Sequence, residues 1–148
     1  MGYSFRHDGD LRVAPQSLEK FKKKIRELTK CNRGRSLESI ILKLNRYLNG
    51  WISYFRLSAS INVFNKLDSW IRRKLICYRL KQRKRTCPIY KYLVQLGVYV
   101  QNACKLAMSS KGWWRLSFNP VINQAMSNKW FDNLGLVNLE SKIDKFKI

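Results

Sequence analysis

At 148 residues and 45% hydrophobic, the chain can bury a core, but surface-to-volume scaling limits it to one modest domain or one domain with an appendage. Thirty Lys and Arg stand against nine Asp and Glu, a formal charge of +21; this exceeds what solubility requires and points to a polyanionic partner, nucleic acid ahead of an anionic membrane surface. An aromatic content of 13% excludes a merely disordered basic tail.

The N-terminus, MGYSFRHDGD, lacks an apolar signal-like core, and the least charged stretch, Tyr92 to Cys104, is too short and polar to span a bilayer. A cytoplasmic protein with no membrane partner, free or within a ribonucleoprotein, is the expectation. Tyr3 to Phe5 and Leu11 to Val13 flank Asp8-Gly9, a dipeptide favoured in tight turns, and predict a short β-hairpin. After Pro15 and Ser17, the residues Leu18, Phe21, Ile25 and Leu28 recur at helical steps, with Lys20, Lys22, Lys23, Lys24 and Arg26 on the other faces. A linker holding Asn32, Arg33, Gly34 and Arg35 leads to Ser36, an N-cap for a long helix.

That helix is the organising element. Leu37, Ile40, Ile41, Leu44, Leu48, Trp51, Ile52 and Phe55 form one unbroken stripe at three- and four-residue steps. The stripe passes through Gly50, which predicts a close packing contact or a bend there. Leu57 to Ser60 reads as a turn. From Ile61 to Arg85 a third helix sets Phe64, Leu67, Ile71, Leu75 and Tyr78 on a packing face and Arg72, Arg79 and Arg83 on another, which is expected to be free for phosphates. Three amphipathic helices on short connections predict an all-α bundle, its core including Phe21, Ile25, Leu44, Leu48, Phe55, Leu67 and Ile71. Pro88 begins a shorter helix through Ile89, Tyr92, Leu93 and Leu96 that ends at Gly97; Val98 to Met108 is a further helix, SSKG a loop, and ESKIDKFKI a charged tail.

Residues 69 to 131 contain thirteen Lys or Arg and no Asp or Glu. Solvated faces ordinarily intermingle the two signs, so a stretch without compensation favours polyanion binding. Arg33, Arg35, Arg72, Arg73, Lys74, Arg79, Lys81, Arg83, Lys84, Arg85 and Arg115 are the candidate nucleic-acid contacts. Arginine is preferred because its planar fork meets phosphate with two bonds. Trp70, Tyr78, Tyr90, Tyr92, Trp113 and Trp114 interleave with these cations. Trp51, Tyr54, Phe55, Phe64 and Trp70 are expected inside, whereas adjacent Trp113 and Trp114 cannot both point inward, leaving one of them to stack on a base.

Catalysis finds no support among the remaining residues. Asp8 and Asp10 flank a turn glycine, where solvated carboxylates are ordinary, and His7 has no nucleophile partner by spacing. Cys31, Cys77, Cys87 and Cys104 include no C-x-x-C pair and read as reduced, semi-buried thiols; neither a metal site nor a cofactor is indicated.

The segment LNRYLNGWISYFRL, followed by Phe64, Leu67, Asp68, Trp70, Ile71, Arg72 and Arg73, resembles the maturase-specific region of group II intron-encoded reverse transcriptases, their thumb or domain X. GWWRLSFNPVINQAMSNKWFDNLGLVNL is similar to the region just beyond that thumb. The resemblance implies a palm-end hairpin remnant at 1–15, a thumb bundle at 16–86, a helical extension at 87–139 and a tail at 140–148. A segment like Gly2, Tyr3 and Phe5 ends the palm in that family, which would set Met1 within a longer ancestral reading frame. The family's Tyr-x-Asp-Asp segment, whose carboxylates bind two metal ions for polymerisation, does not occur in this chain.

What the resemblance implies is therefore an RNA-binding maturase-type domain that assists intron folding and splicing and is not an enzyme by itself. Structured RNA, group II intron RNA in particular, is the implied partner. The alternatives are a thumb subunit of a split reverse transcriptase, clamping DNA or a primer-template beside a separate palm-bearing chain, and a decayed fragment that retains nucleic-acid binding.

Overall fold

Two strands, β1 (Tyr3–Phe5) and β2 (Leu11–Val13), pair antiparallel in the computed structural model, Tyr3 opposite Val13 and Phe5 opposite Leu11. The structure describes residues 3–5, 11–30, 34–55 and 61–147, and most of them are helical. The Asp8-Gly9 turn, with His7 and Asp10, lies outside the described residues, as do Cys31, Arg33 and the stretch 56–60.

Pro15 opens α1 (Pro15–Leu28) in its first turn, where a missing N–H costs nothing. Phe21 and Ile25 are its fully buried anchors. The Ser36 hydroxyl caps α2 (Leu37–Phe55), accepting from the Ser39 N–H at 3.2 Å. All eight members of the α2 stripe are buried, and Trp51 gathers Phe21, Phe55 and Phe64 around its ring at centroid separations of 4.4, 4.7 and 5.8 Å. The seven residues expected in the core are none of them more than 5% exposed. Tyr54 departs from expectation: it is 60% exposed, its ring edge-on to Phe55, because its helical position faces away from the stripe. Gly50 departs too. A Cβ built there meets nothing within 4 Å, so no close contact demands the glycine.

α3 (Ile61–Arg83) is the central rod, packed by α2 on one side and by several of the later helices on others. It stops at Lys84, whose φ of 56° breaks the helix two residues earlier than the sequence suggests. Arg85 then leads into α4 (Thr86–Gln95), which packs closely with α5 (Val100–Ala107). Gly97, at φ 96°, closes α4 with bonds from its own N–H to the Val94 carbonyl and from the Val98 N–H to the Leu93 carbonyl. Three short helices come next: α6 (Trp113–Leu116), α7 (Pro120–Ala125) and α8 (Asn128–Asn133).

The last segment is α9 (Leu139–Lys147), not a loose tail. Leu139 and Ile143, four residues apart, are fully buried against α3 and α2. Polar side chains fix the docking. Both oxygens of buried Asp68 accept N–H bonds from the first turn of α9, from Leu139 at 3.0 Å and Glu140 at 3.1 Å. Asn45 donates to the Gly135 carbonyl at 2.7 Å and accepts from the Val137 N–H at 2.9 Å, while Lys142 reaches Asn49 at 2.5 Å. The contiguous core runs from Val13 to Ile143.

Candidate nucleic-acid interface

The cations of α3 divide into packed and free sets, whereas a single solvated face was expected. Arg79 has a side chain only 17% exposed, pairs with Glu38 at 3.6 Å, and lies 5.5 Å from the Tyr92 ring centre. Arg83 sits 4.6 Å from the same ring. The Nε atoms of both are buried without a hydrogen-bond partner. These two arginines therefore seat α4 on α3, their apolar stems and guanidinium faces covering Tyr92. Burial raises the Tyr92 phenol above its ordinary pKa, and the two neighbouring guanidinium charges act in the opposite direction.

Arg73 is similarly committed. Its Nε donates to Ser117 Oγ and its Nη2 to the Trp114 carbonyl, both at 2.8 Å. Its guanidinium carbon is 3.6 Å from the Trp114 ring centre and 2.8 Å from that of Phe118; since the two centres are 6.5 Å apart, the cation lies between them. Lys74 is 5.0 Å from Trp114 and 5.6 Å from Trp70, and the Arg26 guanidinium of α1 stands 5.7 Å from Trp70. Cations and rings thus alternate across three helices, in the order Arg26, Trp70, Lys74, Trp114, Arg73, Phe118. Burial lowers the Lys74 ammonium's pKa, with the Arg26, Lys81 and Arg73 charges adding to the effect.

Of the other expected contacts, Arg72 is half-buried and donates to Ser69 Oγ at 3.2 Å. The Arg35 side chain is half-buried, and its carbonyl receives Tyr78 Oη at 2.5 Å and Gln82 Nε2 at 2.7 Å, tying the entry of α2 to α3. Lys81, Lys84 and Arg85 are exposed around the α3–α4 corner, and Arg115 is exposed on α6. Trp114 is 38% exposed, while Trp113 packs against the core, so the adjacent pair divides as its geometry requires. Arg33 lies outside the described residues. The thiols also divide: Cys77 is buried, but Cys87 and Cys104 are exposed, where semi-buried thiols were expected.

Sequence reasoning overlooked Phe118, 63% exposed and four residues beyond Trp114, and the role of Arg26. The four-residue steps from Trp70 to Lys74 and from Trp114 to Phe118 were the available signal. Among the described residues the Arg79–Glu38 contact is the one ion pair within 4.0 Å, so the positive field of 69–131 is otherwise without close acidic partners there. Among them, too, no helix is long and apolar enough to cross a membrane. Residues 18–95 match the group II intron maturase-specific domain family. No curated protein matches the chain.

Proposed function

The chain belongs to the group II intron maturase-specific family, and from that premise we infer that it binds structured intron RNA and favours the compact, splicing-competent fold of that RNA. The observation that carries this reading is the stretch 69–131, thirteen cations without an acidic residue, interleaved with aromatic rings on and around the central helix. Phosphates crowd together when an intron compacts, and a surface that supplies counter-charge binds the compact state more tightly than the open one. The exposed Lys81, Lys84, Arg85 and Arg115 are the first groups available to phosphate; Arg73, Arg79 and Arg83 hold the surface in shape. In this reading residues 16–86 are the thumb-like bundle and 87–139 its helical extension. The RNA is the catalyst, and the protein acts by binding.

The test is splicing of a group II intron precursor at a magnesium concentration too low for it to react alone. Addition of the chain should restore product formation, and a Lys81→Gln, Lys84→Gln, Arg85→Gln variant should restore less. Unchanged splicing at saturating protein would refute the reading.

A further inference from the structure

A run of clefts links α3 to the segment after α5, and successive clefts share lining residues. The first, about 490 Å³, is lined by three exposed cations, Lys105, Lys111 and Arg115, and by Phe118. Phe118 also borders a second cleft of about 240 Å³, which holds Arg72, Arg73 and Ser69. Ser69 in turn borders a third, beside exposed Lys66. No acidic residue lines any of the three.

The rings along this track are not equivalent. Trp113 lines none of these clefts and is packed against the core, whereas Phe118 lines two of them and is 63% exposed although Arg73 covers one side of its ring. The opposite side is therefore presented outward, with cations at both ends of the track. Phe118 is held for this: Arg73 is clamped between it and Trp114 and is tied to Ser117 and the Trp114 carbonyl. A pre-placed aromatic face offers stacking to a base that has left its own stack, which bases inside a duplex have not.

We propose that this track is a seat for unpaired RNA, with phosphates along Lys66, Arg72, Lys105, Lys111 and Arg115 and one base stacked on the outward face of Phe118. The proposal rests on the reading that the chain binds RNA and names where an unpaired strand would lie. Four of the six contact residues, Lys105, Lys111, Arg115 and Phe118, lie beyond 95, outside the span that matches the family.

Binding of a single-stranded oligouridylate and of an RNA duplex of equal length tests it, using the full chain, Phe118→Ala, and a Lys105→Gln, Lys111→Gln, Arg115→Gln variant. Loss of one stacked base should weaken oligouridylate binding about 5- to 150-fold in Phe118→Ala, with duplex binding and salt dependence unchanged. Each phosphate contact on a single strand contributes roughly 0.7 to the slope of log affinity against log salt, so the triple variant should flatten it by about two. The three replaced cations are exposed, so that variant tests the track even if Phe118→Ala folds poorly. Unaltered oligouridylate affinity and salt slope in the triple variant would overturn the proposal. So would a parent chain that binds intron RNA but not oligouridylate, leaving the RNA reading intact; a parent that binds neither would overturn both.

Discussion

Gly50 lies on the exposed side of α2, and a methyl group added there meets open space. Glycine inside a helix costs roughly 0.5–1 kcal/mol relative to alanine, through the freedom it loses on folding. Gly50→Ala should therefore raise stability by about that amount in a denaturant titration, and destabilisation would mean that α2 needs the glycine for a bend. Leu48, two residues earlier on the opposite, fully buried face, should behave oppositely. Truncating a buried leucine typically costs about 2–5 kcal/mol, so Leu48→Ala should lower the melting temperature markedly. The arginines give the third contrast at this scale. Arg79→Gln and Arg83→Gln should each cost about 1–2 kcal/mol through lost packing on Tyr92, whereas Lys81→Gln, exposed between them on the same helix, should leave the melting temperature within about 0.5 kcal/mol of the parent.

Among the elements, α9 shows how one buried carboxylate can dock a helix. Removing the Asp68 acceptors leaves two N–H groups of the first α9 turn without partners, that of Leu139 in a buried site and that of Glu140 in a part-buried one, and a buried orphan costs about 1–3 kcal/mol. Asp68→Ala should thus release α9, seen as faster amide exchange at 139–147, while Asp68→Asn keeps one carbonyl oxygen and should hold it better. Burial raises the Asp68 carboxyl above its ordinary 3.8, against the pull of the two N–H bonds and the Arg72 charge. The folded state consequently holds that proton more tightly than the unfolded chain. Stability from this group is present at the acid end and declines as pH rises from about 3.8 through the raised value. Asp68→Asn should lack this decline, and identical pH profiles for parent and variant would contradict the assignment.

The same elements show what the sequence could convey. The stripes of α1, α2 and the first half of α3 were legible because one face of each packs and the other is wet, which is what helical periodicity reports. In its second half α3 is covered by α4 on one side and α6 on another, so Arg73, Arg79 and Arg83 occupy packed positions. Periodicity treats every arginine as surface, yet a long stem capped by a planar cation can lie against a ring and still keep its charge. α9 was missed because its buried anchors among the described residues, Leu139 and Ile143, are just two, and its capping group comes from Asp68, about seventy residues away in sequence. Trp113 and Trp114 were legible as an unequal pair, but which ring faces outward depends on Arg73, which sequence spacing alone does not reveal.

For the whole molecule, α3 runs as a central rod among the other helices, and the stretch 69–131 carries thirteen cations with no acidic residue. A formal charge of +21 by itself would attract any polyanion, so affinity alone says little about function. Membership of the maturase-specific family turns that general attraction into a specific claim, that this surface is shaped for a folded group II intron. The most direct measurement is the affinity for a group II intron RNA and for a length-matched control RNA, measured across a salt series. Affinity for both should fall steeply with salt, with the intron retaining the tighter binding as salt rises, because shape-specific contacts persist where bare charge attraction is screened. Equal affinities for the two RNAs at every salt concentration would contradict it.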